Sequence, residues 1–241
     1  KANAMPTKRF FVSMLTKDIS LEDAILDLVD NCLDGALRMS SGNEVDYRKY
    51  EIRITIDKTG FTISDNCGGI PREVAKNYAF KMGRDIDDER DSSSETIGMY
   101  GVGMKRAIFK MGRNAEVLSY SSEDSFSVPI TPDWLDDKEW KSLPIETIEF
   151  PSDAEAGTTI KVDELLSGVA QSFDNASFVN DLKEGVSEHF CVFLEKGLIV
   201  RVNDEAIKPV KVEVLTFEDE NKLAPYIFEK KIGDLTVSIT V

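Results

Sequence analysis

Histidine is almost missing from this chain, and cysteine is sparse. The 241 residues hold one histidine and three cysteines. His189 lies inside a stretch with the pattern of an amphipathic helix, and with no second histidine it points to packing or surface rather than a nucleophilic pair. Cys32, Cys67 and Cys191 are widely scattered. They form neither a disulfide framework nor a zinc pattern, and they suit a reducing cytoplasm. No apolar run approaches the length of a membrane span, and nothing resembles a secretory leader, so a cytoplasmic protein without membrane contact is expected. Basic charge is also short. Lysine and arginine number 29 against 44 acids, a net charge of −15. An acidic surface repels phosphate backbones, so nucleic acid is not expected as a partner of this segment, which leaves a local groove or other regions of a longer protein for that task.

What remains is the composition of a globular protein, with 41% hydrophobic and 30% charged residues. The length suits one large domain, or one domain and part of another. The leading KANAM is set aside as a remnant before a native start at Met5. Ser20-Leu21-Glu22-Asp23 marks a helix start, with Ser20 as cap and an acid three residues on, and the helix runs to about Met39. EIRITID (51–57) alternates as a strand and turns through Lys58-Thr59-Gly60 into a second strand over 61–64. Pro71 opens a helix to about Phe80. Residues 83–97 are polar and nearly without apolar anchors, the composition of a mobile loop. Further strands are expected over 115–121, 125–130, 145–150, 158–163 and 197–202, with one long helix over 175–195 between the last two. From Val210 the pattern is strand-like again. Irregular alternation of helices with hairpins argues an α+β fold, helices layered on one mixed sheet.

Four segments carry chemistry. In DLVDNCLDGALR (27–38), Asp27, Asn31 and Asp34 fall at i, i+4 and i+7, one narrow polar stripe, while Ile25, Leu28, Val29, Cys32 and Ala36 fill the opposite face. SDNCGGIP (64–71) sets Asp65 at a strand end before two glycines. That fits a tight turn, and equally a carboxylate aimed at an adenine amino group with backbone close to a flat ring. GMYGVGMK (98–105) sets Gly98, Gly101 and Gly103 before a helix, where free N–H groups and the dipole make a phosphate cradle and Lys105 adds a point charge. It is neither a Walker motif nor a dinucleotide fingerprint, and by itself it fits a hinge as well as a cradle. AGTTIKV (156–162) brings Gly157 and Thr158 to a strand start.

Taken in order over residues 27–160, these motifs resemble the GHKL ATPases, the superfamily of gyrase B subunits, ninety-kilodalton heat-shock chaperones, histidine kinases and MutL repair proteins. LVDNCLDGA and GMYGVGMKRA look most like the microrchidia-type and related bacterial members. The resemblance implies the Bergerat fold, a two-layer α/β sandwich with helices on one face of a mixed sheet, ATP as ligand and Mg2+ as its cofactor. Carried over by motif position, Asn31 corresponds to the magnesium-coordinating asparagine and Asp34 to the acid that shapes the pocket. Asp65 corresponds to the adenine-reading aspartate, Gly69 to its following glycine, and Thr158 to the threonine that supports adenine through water. Gly98, Gly101 and Gly103 correspond to the lid glycines around the phosphates. Gly35, Ile70, Val102, Met104 and Lys105 complete the expected nucleotide-binding set as neighbours within the motifs. Asp27 stands where hydrolysing members carry a glutamate that activates water.

Three departures bear on these assignments. Asp27 is one methylene shorter than glutamate, a loss of reach of about 1.5 Å. Cys67 replaces the first glycine of D-x-G-x-G, and Gly35 replaces the alanine after the helix aspartate. Binding is therefore better supported than hydrolysis. The expected function is a Mg-dependent ATP-binding domain over residues 1–208 that hydrolyses slowly to drive lid closure or dimerisation. A transducer-like second domain is expected to start at 209–241 and to be cut short, with a homodimer of the full-length protein formed on ATP. The alternatives are an ATP-regulated scaffold without turnover and, with less support, a sensor-kinase catalytic domain, which usually carries asparagine at the Asp27 position.

Overall fold

The computed structural model describes residues 6–40, 44–81, 102–121, 124–150, 155–210, 227–233 and 235–240. The chain divides into two compact units, Lys1–Pro209 and Val210–Val241.

The first unit is built on an eight-stranded mixed sheet in the order β5-β4-β3-β6-β2-β1-β7-β8. Its strands are β1 (Glu51–Asp57), β2 (Gly60–Asp65), β3 (Gly112–Tyr120), β4 (Ser125–Ile130), β5 (Glu146–Thr147), β6 (Gly157–Leu165), β7 (Ile199–Val202) and β8 (Glu205–Ala206). Every pairing is antiparallel except β1 with β7. Alternation decides which face is covered. Ile52, Ile54 and Ile56 of β1 are buried and the residues between them are not, and Phe61, Ile63, Val117, Ile160, Val162, Val200 and Val202 extend the same apolar layer.

Helix α2 (Leu21–Ser40) supplies much of what covers that layer. Ser20 caps it as expected: its Oγ accepts from the Asp23 N–H at 2.9 Å and donates to the Asp23 carboxylate at 2.7 Å. Ile25, Leu28, Val29, Cys32 and Ala36 are all buried, so the 3.6-residue period selects the face that meets the sheet. Burying a Leu or Ile side chain stabilises by about 1.5–3 kcal/mol, and this stripe holds the helix in place. Glu22 lies against Gly185 of α7 (Ala176–His189), and Asp30 lies near His189 at that helix's end.

Local expectations met three corrections. The helix expected over 175–195 is two, α7 and α8 (Cys191–Glu195), because Phe190 leaves helical geometry at φ −108° and ψ 18° to bury its ring. The strand expected over 145–150 is only the two residues of β5, an edge strand paired with Phe126 and Ser127 just after Pro144, which has no N–H for a ladder. The helix after Pro71 is α3 (Arg72–Val74) running into a π-helical turn over Ala75–Ala79. Helices α1 (Lys8–Lys17), α5 (Pro132–Asp136) and α6 (Ser167–Phe173) were not expected. In α1 the reason is Lys8, a charged residue whose ammonium is buried 4.1 Å from the Trp134 ring centroid and bonded to the Trp134 carbonyl. Pairing over 126 positions leaves no local signal.

The second unit contains one described antiparallel hairpin, β9 (Ile227–Ile232) with β10 (Leu235–Thr240). The segment expected as a mobile loop, 83–97, lies outside the described residues, as do Gly98 and Gly101. Among the described residues no helix is long and apolar enough to cross a membrane.

Burial against α7 pushes the Asp30 carboxyl up to about 6, with His189 opposing and Asp27 and Asp34 reinforcing the rise. A carboxyl whose folded pKa exceeds its unfolded value opposes folding once pH rises through the gap between them. Asp30→Asn should therefore raise the thermal midpoint at pH 8 by roughly 2–4 °C, the shift that about 1 kcal/mol gives in a chain of this size. The gain should shrink as pH falls through about 4 and vanish below about 3, where the aspartate is neutral in both states. Circular dichroism melts across that range check it.

Candidate nucleotide site

Where β2 ends, the chain turns sharply. Asp65 is its last residue, and its Oδ1 accepts from the Cys67 N–H at 2.7 Å and the Thr158 N–H at 3.3 Å. Gly68 and Gly69 then take left-handed φ of 91° and 73°, which L side chains adopt at a cost. Ile70 is tied by both backbone groups to the buried Ser119 hydroxyl, at 2.7 and 3.0 Å. The turn is thereby fixed against β3 and leaves the carboxylate facing α2.

Between that turn and α2 lies an open pocket. Its wall contains Asn31, Gly35, Asp65, Gly69, Ile70, Met104 and Thr158, seven of the residues selected from the motifs. Leu28, Cys32, Ile63 and Ile160 supply an apolar floor, Cys67 sits beside Asp65, and Arg38 stands at the edge. A mostly apolar slot with one acid and a few backbone groups suits a flat heterocycle carrying an amino group.

Electrostatics single out Asp65. Loss of water raises its carboxyl above the ordinary aspartate value, while the Cys67 N–H, the Cys32 thiol, the Thr158 N–H and the Arg38 charge resist the rise. The thiols shift in the same direction: burial, then the Asp65 charge, push Cys67 and Cys32 up, so both stay protonated donors at neutral pH.

The two departures at this turn are one packing problem. A Cβ at Gly35 would stand 2.8 Å from the Cys67 carbonyl oxygen and 3.0 Å from the Cys67 Cβ. The side chain gained at 67 takes room that a side chain at 35 would need.

Other selected residues lie outside this pocket. Asp34 is buried in α2 and does not line it. Asp27 is half-buried and points to α4 (Gly103–Met111), where its Oδ2 accepts from Arg106 Nη2 at 2.6 Å. Val102 caps α4, and Gly103 lies against the Asp27 side chain. Lys105 needs a correction. It is not an open point charge: its Nζ is buried and donates to the carbonyls of Ala79 at 2.7 Å and Lys81 at 2.6 Å, closing the end of the π-helical turn. Arg106, the next residue, is the cation that meets the stripe on α2.

Sequence reasoning passed over Arg38 and Arg106. Arg38 had a signal, for it continues the stripe of Asp27, Asn31 and Asp34 at the next i+4 step. Arg106 had none beyond adjacency to Lys105.

The donors fit magnesium held chiefly by a polyphosphate. Asn31 Nδ2 donates to the Asp27 carbonyl at 2.8 Å, which leaves its exposed Oδ1 as a hard oxygen ligand. Among the described residues no group of three or more His, Cys, Asp or Glu could hold a metal ion by itself.

A mixed sheet covered on one face by helices, with a carboxylate turn opposite an asparagine-bearing helix, defines a Bergerat-fold ATP-binding domain. The profile described as histidine kinase-, DNA gyrase B-, and HSP90-like ATPase matches residues 19–160, and the chain belongs to that family. No curated protein matches the chain.

The contact between positions 35 and 67 makes a direct test. Gly35→Ala should destabilise by about 1–3 kcal/mol, the usual cost of overpacking. Adding Cys67→Gly should recover part of it, with a coupling of at least about 0.5 kcal/mol in a double-mutant cycle read by urea denaturation. Full additivity would mean that the two departures are unrelated.

Proposed function

We propose that this domain binds Mg-ATP with adenine against Asp65 and Thr158 and hydrolyses it slowly within a larger protein, using ATP to close a lid or to dimerise. The observation that carries the reading is the shared pocket: four motifs separated by up to 127 positions, from Asn31 to Thr158, line one cavity with a single acid at its base. In this reading Asp65 accepts the adenine amino proton, and guanine is rejected because its carbonyl would face another acceptor. Asn31 Oδ1 would coordinate the magnesium ion, which neutralises phosphate charge. Gly103 and the α4 N-terminus lie toward the phosphates. Asp27 is the general base, shortened by one methylene, and slow turnover follows because an error near 1 Å costs on the order of a hundredfold in rate.

Within the family we take LVDNCLDGA and GMYGVGMKRA to favour the microrchidia-type branch. Residues 1–208 form the ATP-binding domain in this proposal, and 209–241 begin a transducer-like domain. Three free cysteines, two of them buried, agree with a cytoplasmic setting. One observation favours the second reading, a scaffold that binds ATP without turnover: the Asp27 carboxylate is engaged by Arg106.

Asp65→Ala should weaken ATP and ADP by about tenfold or more in calorimetry, roughly 1.4 kcal/mol, with the fold intact. The wild-type affinity should fall on acidification, because only the ionised carboxylate accepts the amino proton. Since burial raises the Asp65 pKa, that fall should begin above the pH at which an ordinary aspartate protonates, about 3.9. Unchanged affinity in Asp65→Ala would remove the assignment.

Asp27→Asn should keep Mg-ATP affinity within about threefold while abolishing turnover of the full-length protein, as expected of a base rather than a binding group. Wild-type turnover in that variant would eliminate Asp27 as the base, and absence of turnover in the wild type would favour the scaffold.

A further inference from the structure

Arg106 stands in the first turns of α4, its backbone N–H bonded to the Val102 carbonyl at 2.9 Å. Its guanidinium meets Asp27 through Nη2 at 2.6 Å, and the two side chains are 33% and 29% exposed. Guanidinium and carboxylate favour a fork of two parallel bonds. Here the fork is half used, and the Nε of Arg106 is buried without a hydrogen-bond partner. A buried donor left unmet is costly, so the arrangement has room for a better acceptor. The neighbouring cation is committed elsewhere, since Lys105 holds the Ala79 and Lys81 carbonyls. The pair also lies one helical turn from Asn31, whose amide nitrogen is bonded to the Asp27 carbonyl.

We propose that Arg106 binds the terminal phosphate of a bound triphosphate and is the residue by which this site tells ATP from ADP. The proposal rests on the ATP reading above. A terminal phosphate offers several acceptor oxygens, so it can take both Nη2 and the unmet Nε, which the single carboxylate oxygen does not. When the guanidinium turns to phosphate, Asp27 Oδ2 is released and can accept a hydrogen bond from water. One movement thus reports the third phosphate and uncovers the base. A diphosphate ends short of the guanidinium and leaves the pair closed.

The test is calorimetric titration of the full-length protein, with magnesium, using a non-hydrolysable ATP analogue and ADP in parallel. Arg106→Gln should weaken the triphosphate analogue by about tenfold or more and leave ADP within about twofold. Arg106→Lys should recover part of the triphosphate affinity, because it restores charge without the fork. Asp27→Asn breaks the same interhelix pair from the other side with Arg106 intact, and it should keep or strengthen the preference for triphosphate. Equal losses for both nucleotides in Arg106→Gln, no loss for either, or a preference lost also in Asp27→Asn would overturn the proposal. Each would show the pair to be only a tie between α2 and α4. A wild-type protein that binds neither nucleotide would instead overturn the ATP reading itself.

Discussion

Where β6 begins, its backbone presses directly on the end of β2. A Cβ at Gly157 would overlap the Asp65 carbonyl oxygen and stand 2.7 Å from the carbonyl carbon and 3.0 Å from the Asn66 Cα. Only glycine permits that approach, and the rest of the pocket depends on it. It brings the Thr158 N–H to the Asp65 carboxylate and lets the Gly68 N–H reach the Ala156 carbonyl at 3.0 Å. Held from that side, and tied to Ser119 on the other, the turn keeps a charged side chain at the base of an apolar slot. Such burial is tolerable because backbone and thiol donors replace the lost water.

Helix α2 sends its acids toward different surroundings, and packing separates their chemistry. Glu22 and Asp30 lie toward α7, where burial raises both carboxyls. Asp27 lies toward α4 and Arg106. Asp34 is buried within the helix layer. Asp27 is joined to an element that carries part of the glycine motif, whereas Asp30 and Glu22 lie toward α7, and this separates it from those two as a candidate base. The apolar face of the same helix sets the rotation that makes the division, since turning it would expose Leu28 and Val29.

The exchange of side chains between positions 35 and 67 has a second effect. It sets the Cys67 thiol beside that of Cys32, so that two protonated thiols border the carboxylate expected to read the base. Thiols are weak donors, so they steady Asp65 without competing strongly for the lone pairs an incoming amino group would use.

Much of this was legible in residue order. The hydrophobic period of 21–40, the Ser20 cap, the β1–β2 hairpin and the acid before paired glycines are local features, fixed by side-chain spacing and backbone sterics, and they stand where the pattern put them. The order of the motifs pointed to a nucleotide pocket by resemblance. Tertiary structure alone decided the partners. Lys105 and Arg106 are adjacent basic residues in one motif, yet one is buried against backbone carbonyls and the other faces Asp27. Gly35 and Cys67 were two separate departures until the fold brought them into contact. Lys8 is buried beside Trp134, a partner 126 positions away. Sequence spacing determines which side chains share a face. Which face meets which depends on how the chain folds over the 79 positions from Asp27 to Arg106, because the ion pair exists only when α2 and α4 are packed together.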